Sequence, residues 1–296
     1  MSNAKATVRS ATKRHSWLSD FATLTKLRLT ATVVLSAALA YGIAASVFDW
    51  TVFGLVLLGG FATTMAANAL NQVLEREYDP QMQRTADRPL ATGRMSVSAA
   101  VLGAGLLSII GAFALAAINP LAALLGMIAL LSYAFVYTPM KRYSVAAVFI
   151  GTVPGALPAL IGTVAAEGAL SQLGLSLFAI QVLWQIPHFW AIGWLGFDDY
   201  QRAGFKLLPV TDTGERDPGT GLQSMLIGLV LAGLVWIPVQ LGAFSLLAGV
   251  VSCILGLAYA FFGYQLWRGR DRTHALRLMF FSLIYLPAVF ALGWWA

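Results

Sequence analysis

The feature that most constrains this chain is a series of long apolar stretches separated by short polar loops. A helix crosses a bilayer core of about 30 Å with roughly 20 apolar residues. The composition agrees, because 58% of the 296 residues are hydrophobic and only 11% are charged, with a mean hydropathy of +0.75. Soluble domains carry roughly a quarter charged residues. The sequence therefore predicts an all-α, polytopic membrane protein.

Nine stretches have the length and composition of a membrane span. They lie near 27–48, 52–75, 97–118, 121–138, 144–165, 171–196, 222–243, 245–267 and 275–295. The residues before the first span, 1–26, form a basic tail that we expect to be cytoplasmic. The remainder, 27–296, shows no linker and is expected to form a single transmembrane domain.

The basic residues give the expected orientation of this bundle. All 19 Lys and Arg residues can be placed on one side of a nine-span arrangement, whereas the opposite loops carry only the acids Asp49 and Glu167. Basic loops stay in the cytoplasm, so we expect the N-terminus inside and the C-terminus outside a bacterial inner (plasma) membrane. The basic residues are split over five segments without a continuous stripe, which argues against a nucleic-acid partner.

A polar stripe lies at the predicted cytoplasmic end of the second span. Asn71, Glu75 and Asp79 are four residues apart, so on an α-helix their side chains stay within roughly 80° of one another. One amide and two carboxylates are oxygen ligands that suit Mg²⁺. Because Pro80 disfavours helix at the residue before it, we expect Asp79 where the helix opens into the loop. The alternative is an ordinary solvated helix end with local ion pairs.

Basic side chains follow this stripe and recur after the fourth span. Arg84 and Arg88 lie in the loop that follows the stripe, where forked guanidinium groups suit phosphate oxygens. Lys141 and Arg142 follow an aromatic segment at the end of the fourth span. An aromatic belt with cytoplasmic charges explains that second pair equally well.

A second polar cluster follows the sixth span. Asp198 and Asp199 are adjacent, and Lys206 follows in the same loop. The two acids are candidates for a second metal ion or for a share of the first. His188 lies upstream in an apolar run, where a lone histidine is more often a packed core residue than a ligand. Pro187 is expected to break the helix there and to free backbone groups near a cavity.

Taken together, these residues resemble the intramembrane prenyltransferases of the UbiA type. The matching phrases are Asn71-x₃-Glu75-x₃-Asp79, Arg84-Thr85 before Arg88-Pro89-Leu90, Tyr137-Thr138 before Lys141-Arg142, Trp184-Gln185-Ile186-Pro187-His188-Phe189, and Asp199-Tyr200 before Gly204-Phe205. The phrase from Trp184 to Phe189 is the most specific, and it resembles the protoheme IX farnesyltransferase (haem O synthase) branch. The resemblance extends from about residue 20 to the end.

The resemblance implies a bundle around a central cavity, with farnesyl diphosphate as donor, haem b as acceptor and Mg²⁺ as the ion. Haem O and diphosphate would be the products, and a haem A synthase is an expected partner. Metal coordination is carried over to Asn71, Glu75, Asp79, Asp198 and Asp199. Diphosphate binding is carried over to Arg84, Arg88, Lys141, Arg142 and Lys206. His188 is expected to contact the haem, as an axial ligand or a proton-handling group.

Two departures from the broader superfamily leave alternatives open. Glu75 stands where many relatives have Asp, and no Asp-x₃-Asp repeat precedes Asp198 and Asp199. Another UbiA-type enzyme, with an aromatic or chlorin acceptor, is therefore one alternative. A nine-span transporter is the other, although a transporter is expected to place ionisable residues near the bilayer midplane, and here they lie near the cytoplasmic ends.

The nine-span arrangement makes a prediction about topology. A reporter fused after Ala296 should lie outside the cytoplasm, because an odd number of spans separates the two termini. Paired alkaline phosphatase and fluorescent-protein fusions would measure this. Phosphatase activity with no fluorescence is the expected result, and a fluorescent fusion without phosphatase activity would contradict the arrangement.

Overall fold

The computed structural model describes residues 16–295. Within that range the chain is helical, with one isolated antiparallel bridge between Val210 and Arg216. Residues 1–15 of the predicted basic tail, and Ala296, lie outside the described range. The helices at the ends and joints of the spans are short: α1 (Trp17–Leu24), α6 (Thr138–Met140), α9 (Phe197–Arg202), α11 (Trp236–Gln240) and 3₁₀ and π segments at Asp79–Gln81 and Ser132–Tyr137.

Among the described residues, nine helical segments are long and apolar enough to cross a membrane. The long helices that form them are α2 (Leu27–Ala44), α3 (Trp50–Glu75), α4 (Val97–Ala116), α5 (Pro120–Leu131), α7 (Ala147–Glu167), α8 (Gln172–Leu195), α10 (Gly219–Leu234), α12 (Leu246–Gly269) and α13 (Arg272–Trp294). The π segment and α6 extend α5 to Met140, and α11 extends α10 to Gln240. The prediction of an all-α, nine-span membrane protein is confirmed.

The span boundaries follow from local chemistry. Asn119 caps α5 by accepting a hydrogen bond from the Ala122 N–H at 2.8 Å, and Pro120 occupies the first helical position, where its missing N–H costs nothing. Gly168 ends α7 with φ of +77°, a conformation that glycine adopts without steric cost. These signals divide the apolar sequence into separate spans.

The long helices form a closed ring. Each packs on the next in the order α2, α3, α4, α5, α7, α8, α10, α12 and α13, and α13 returns to pack on α2. Further contacts cross the interior, and the most extensive are those of α2 with α7 and of α8 with α13. Helix α7 is the most enclosed of the nine spans, because 72% of an 18-residue apolar stretch within it is buried inside the protein. It therefore forms the inner wall that separates the two halves of the ring.

Close helix contacts in this ring depend on small residues. A Cβ atom added to Gly256 of α12 would lie 2.7 Å from the Cα of Ala232 in α10, and one added to Gly263 would lie 2.5 Å from the Met225 nitrogen. These separations are below van der Waals contact, so only glycine fits. Small residues let backbones approach where lipid gives helices no hydrophobic drive to associate.

The expected break at Pro187 is wrong. Helix α8 continues through this residue from Gln172 to Leu195. A proline removes one backbone hydrogen bond, and the flanking helices α7, α10 and α13 hold α8 in place on three sides. His188 is therefore presented from a continuous helix and not from an unwound segment.

Candidate active site at one end of the bundle

The predicted oxygen stripe is present and buried. Asn71 and Glu75 lie on the last turns of α3, and Asp79 begins the 3₁₀ turn after the helix has ended. The expectation that Asp79 lies where helix gives way to loop is confirmed. All three side chains are almost inaccessible to solvent. Isolated carboxylates at such a position would be strongly disfavoured, so their neighbours determine what the site can do.

Arg88 and Lys141 neutralise these carboxylates. The Arg88 guanidinium donates to Asp79 Oδ1 at 2.7 Å and lies 3.6 Å from Glu75 Oε2. Lys141 forms an ion pair with the other oxygen of Glu75. Both basic residues are themselves buried. The loop after α3 and the end of the fourth span are thereby joined to α3 through charge pairs inside the protein.

Lys26, which the motifs did not identify, is a third cation in this network. It lies just before α2 in the left-handed backbone conformation, with φ of 48°, which is uncommon for a non-glycine residue. Its Nζ donates to Asn71 Oδ1 at 2.8 Å. Burial, followed by repulsion from Arg88, lowers the pKa of Lys26 well below its usual value. No motif marks this residue in the basic tail, so only the fold reveals its position.

The Asn71 amide is held at both ends. Its Oδ1 accepts from Lys26, and its Nδ2 donates to Thr138 Oγ1 at 3.0 Å. Thr138 in turn donates to the Tyr133 carbonyl at 2.9 Å, at the end of the π segment Ser132–Tyr137. π-Helical turns are rare and occur frequently at functional sites. Here the extra residue of the π turn places Thr138 against Asn71, a contact that helical periodicity does not predict.

Asp79 retains one oxygen for a ligand. Oδ1 accepts from Arg88, whereas the buried Oδ2 has no hydrogen-bond partner among the described residues. Burial raises the pKa of Asp79, and attraction to Arg88 opposes that shift. A buried carboxylate oxygen without a donor is uncommon. Asn71 and Glu75 line the pocket, whereas Asp79 does not. Oxygens of these three side chains are the donor type that Mg²⁺ prefers, so the residues fit one magnesium ion if the Asp79 carboxylate turns from Arg88 towards the pocket.

The charge balance of the pocket favours an anionic ligand. Four cationic side chains border the pocket: Lys26, Arg84, Arg88 and Lys141. Two carboxylates, Glu75 and Asp79, face them. An excess of two positive charges remains in a largely buried space. Such an excess is suited to a phosphate or diphosphate group, whose oxygens accept forked hydrogen bonds from Arg.

Asp198 and Asp199 are not brought to this pocket. Asp198 is 78% exposed and lies 3.3 Å from Arg216, and Asp199 forms an ion pair with Arg202 one turn along α9. Neither lines the pocket that holds Glu75. Between residues 16 and 295 no three acidic, histidine or cysteine side chains are grouped as a metal site would require. Their part in metal binding stays a prediction that these contacts do not support.

The predicted diphosphate ligands divide in the same way. Arg88 and Lys141 are inside the pocket, and Arg84 lines it while donating to the Tyr200 hydroxyl at 3.2 Å. Arg142 lies instead over the Tyr78 ring, 4.1 Å from its centre, and is exposed. The Lys206 side chain is also exposed and does not line the pocket. Arg142 and Lys206 therefore flank the pocket from outside.

His188 lines the same pocket from α8 and is held by a residue of α13. Its Nδ1 lies 2.7 Å from Ser282 Oγ on α13. The Ser282 hydroxyl donates to the Met279 carbonyl at 2.6 Å. A hydroxyl has a single proton, so the proton between the histidine and the serine belongs to His188 Nδ1. Nε2 of the neutral imidazole is then left with its lone pair free.

Trp184 fixes the plane of this imidazole. The two rings stack with centroids 5.2 Å apart and planes inclined by 16°. The Trp184 indole donates to the Ser282 carbonyl at 2.7 Å, and its own carbonyl accepts from the Tyr259 hydroxyl at 3.1 Å. His188 is therefore fixed in position by three helices, α8, α12 and α13, through the neutral residues Trp184, Tyr259 and Ser282.

The sequence matches a family of known proteins. Residues 31–284 match the family described as the UbiA prenyltransferase family. The chain belongs to the UbiA prenyltransferase family. This confirms the resemblance read from the motifs and rules out the transporter alternative.

Curated members of the UbiA family resemble this chain along most of its length. The protoheme IX farnesyltransferase of Christiangramia forsetii is 40% identical over 273 residues, which cover 91% of this chain and 90% of the relative. The enzyme of the same name from Cytophaga hutchinsonii is 42% identical over 268 residues, which cover 90% and 93%.

Solved UbiA-type structures share the fold. A digeranylgeranylglyceryl phosphate synthase superimposes with a TM-score of 0.77 at 18% identity, covering 94% of this chain and 99% of the other. A UbiA homologue from Archaeoglobus fulgidus bound to GPP and Mg²⁺ gives a TM-score of 0.64 at 17% identity, covering 92% and 99%. The ring of nine long helices formed by the described residues is therefore the fold that these solved structures share.

The ion pairs predict that Arg88 contributes more to the stability of the protein than Arg94 does. Arg88→Ala should lower the free energy of unfolding by about 3–5 kcal/mol, because it leaves two buried carboxylates with too little positive charge. Arg94→Ala is the matched control, since Arg94 also pairs with two acids, Asp20 and Asp87, but is more exposed. Its loss should cost about 1 kcal/mol or less. Apparent melting temperatures in detergent would measure both.

The cause of that loss can be separated from simple truncation. Adding Asp79→Asn to the Arg88→Ala variant should restore part of the lost stability, because one buried negative charge is removed together with its partner. Equal melting temperatures for the Arg88→Ala and Arg94→Ala variants would show that the network does not stabilise the protein.

Proposed function

We infer that this protein is a protoheme IX farnesyltransferase that converts haem b, farnesyl diphosphate and water to haem O and diphosphate. The observation that carries the assignment is the 35–42% identity to curated enzymes of that name over most of the chain. The pocket supports it independently, because a cationic, buried site for diphosphate adjoins an apolar cavity suited to a prenyl chain.

The side chains account for the leaving-group chemistry. Lys26, Arg88 and Lys141 would bind the diphosphate oxygens and stabilise the negative charge that develops as the allylic C–O bond breaks. Asn71, Asp79 and Glu75 would hold Mg²⁺, which adds further charge neutralisation when bound. Rearrangement of the ion pairs around Glu75 and Asp79 would accompany binding, since the cations that now hold the carboxylates would turn to the diphosphate.

Transfer to the haem accounts for every bond and proton. The allylic carbon of the farnesyl group forms a C–C bond with a haem vinyl carbon, and the cation left on the neighbouring carbon takes up water. Loss of one proton from that water leaves a hydroxyethylfarnesyl group. Tyr133, Tyr137 and Phe189 line the pocket, where aromatic faces stabilise a nearby cation.

We also propose an orientation in the membrane, the number of metal ions and a partner. The polar pocket lies at the end of the bundle that carries the basic loops, so it would face the cytoplasm of a bacterial inner membrane, with the N-terminus on the same side. Asp198 and Asp199 would join the metal site only if both left their arginine partners, so we propose a single magnesium ion. Transfer of the product to a haem A synthase stays a prediction.

The assignment is tested by incubating purified protein with haem b, farnesyl diphosphate and Mg²⁺. Mass spectrometry of extracted haem should show a hydroxyethylfarnesyl product that disappears with EDTA. Asp79→Ala should reduce the rate about 100-fold or more, because it removes a ligand of the Mg²⁺ that would stabilise the leaving diphosphate. Glu77→Ala is the control, since Glu77 is exposed and its ion-pair partner among residues 16–295 is Arg76. Unchanged haem b, in a preparation that prenylates an aromatic acid, would show that the acceptor is wrong.

His188 is proposed to contact the haem through Nε2. Metal-binding histidines usually donate their other ring nitrogen to a fixed acceptor, and loss of that acceptor costs roughly 10–100-fold in affinity. Ser282→Ala should therefore weaken haem b binding about tenfold and shift the Soret band, whereas Ser282→Thr should preserve both. Spectroscopic titration of the protein with haem b measures this without turnover.

A buried serine elsewhere provides the control for that experiment. Ser252 of α12 is fully buried, and its hydroxyl has no hydrogen-bond partner among residues 16–295. Ser252→Ala should leave haem binding unchanged. If His188→Ala and Ser282→Ala both kept the wild-type affinity and spectrum, the histidine would have no role in haem contact.

A further inference from the structure

An apolar cavity continues from the polar pocket into the membrane interior. It is enclosed by α2, α3, α5 and α7, with Leu115 of α4 at one end, and its walls are almost entirely hydrocarbon. Leu29 and Tyr133 line both the cavity and the polar pocket. The two spaces are therefore adjacent, and a molecule with an anionic head and an apolar tail would occupy both.

Helix α3 sets the length of this combined space. Gly60, Thr64 and Ala67 line the cavity, and Asn71 lines the polar pocket. Steps of three or four residues keep them on one helix face. With a rise of 1.5 Å per residue, Gly60 lies about 16 Å from Asn71 along the helix. One face of a single straight helix thus runs from the oxygen ligands to the far end of the cavity.

Leu115 closes the far end. It is fully buried, and a Cβ atom added to Gly59 would lie 2.7 Å from its Cγ. Gly126 of α5 meets the same leucine from the other side. The Leu115 side chain is therefore held between two glycines at the level of Gly60. Leu115 also belongs to a buried apolar cluster formed with residues of α5 and α7.

With the farnesyl chain of the donor in this cavity, we propose that Leu115 determines the maximum length of that chain. This rests on the proposed function, because it takes the donor to be a prenyl diphosphate bound at Asn71. The main chain of a farnesyl group has twelve carbons and eleven bonds of about 1.5 Å, which span roughly 14 Å when staggered. That length fits between Asn71 and Leu115, and one further isoprene unit would collide with the leucine.

Small side chains along α3 are the second requirement. Gly60 has open space, since an added Cβ would have Val34 at 3.4 Å as its nearest neighbour, an ordinary contact. Packing therefore does not require glycine at this position. A leucine there would fit into the cavity and occupy the space of the terminal isoprene unit. The helix face thereby sets the minimum width of the cavity, and Leu115 sets its depth.

Two variants test the proposal in opposite directions. Leu115→Ala should lengthen the cavity and favour a C20 donor, and Gly60→Leu should shorten it and favour a C10 donor. The matched controls are Leu106→Ala, a leucine of α4 that is 64% exposed, and Gly54→Leu, a glycine of α3 with nothing within 4 Å. Both controls lie outside the cavity and should keep the wild-type preference.

The measurement is competition binding of non-reactive C10, C15 and C20 S-thiolodiphosphates to purified protein with Mg²⁺ and no haem. Wild type should bind C15 most tightly, and each cavity variant should shift the preferred length by about tenfold or more, since even one methylene changes discrimination by 10–200-fold in such pockets. An unchanged order in a folded Gly60→Leu variant, or no length preference in the wild type, would overturn the proposal.

The readout separates this proposal from the proposed function. Binding is measured without an acceptor, so a wrong acceptor would abolish haem O formation and leave the length preference intact. Conversely, haem O formation by wild type together with variants that keep the wild-type length preference would retain the function and refute the role of Leu115. If Leu115→Ala did not fold, Gly60→Leu would still decide the question.

Discussion

Two carboxylates buried at the end of a membrane helix can exist only if cations are buried with them, and this constraint organises the molecule. Glu75 and Asp79 draw Arg88 from the following loop and Lys141 from the end of the fourth span. Lys26 approaches Asn71 from the segment before α2. Three stretches that are distant in sequence are therefore held together by charge in a medium where unpaired charge is costly. The same ion pairs place cationic side chains where a diphosphate has to bind.

The sequence revealed those parts of the protein that depend on short-range periodicity. Apolar stretches of about 20 residues identified the spans, and spacing of four residues placed Asn71, Glu75 and Asp79 on one face. Where a side chain lies once the chain has left a helix depends instead on tertiary packing. Lys26 resembles any other residue of a basic tail, and nothing local to Asp198 indicates that its carboxylate turns to Arg216. Ser282 likewise looks like a small polar residue in an apolar helix until α13 is seen against α8.

The donor and acceptor requirements are met by different halves of the ring. Helices α2 to α7 provide the oxygen ligands, most of the cations and the apolar cavity. Helices α8, α12 and α13 provide His188 and the groups that orient it. The pocket between them is where the two substrates would meet. The ion pairs of the pocket accordingly lie in the first half, whereas the groups that contact His188 in the second half are neutral, because only the first half binds a polyanion.

Closure of the ring by its first and last spans has a consequence for biogenesis. Helix α13 packs on α2 and carries Ser282, so the enclosure is completed only when the final segment has left the ribosome and entered the bilayer. Until then a nascent chain has its charge network but an unsealed interior and an unoriented imidazole. Translation itself therefore delays the assembly of a reactive site until α13 has been made.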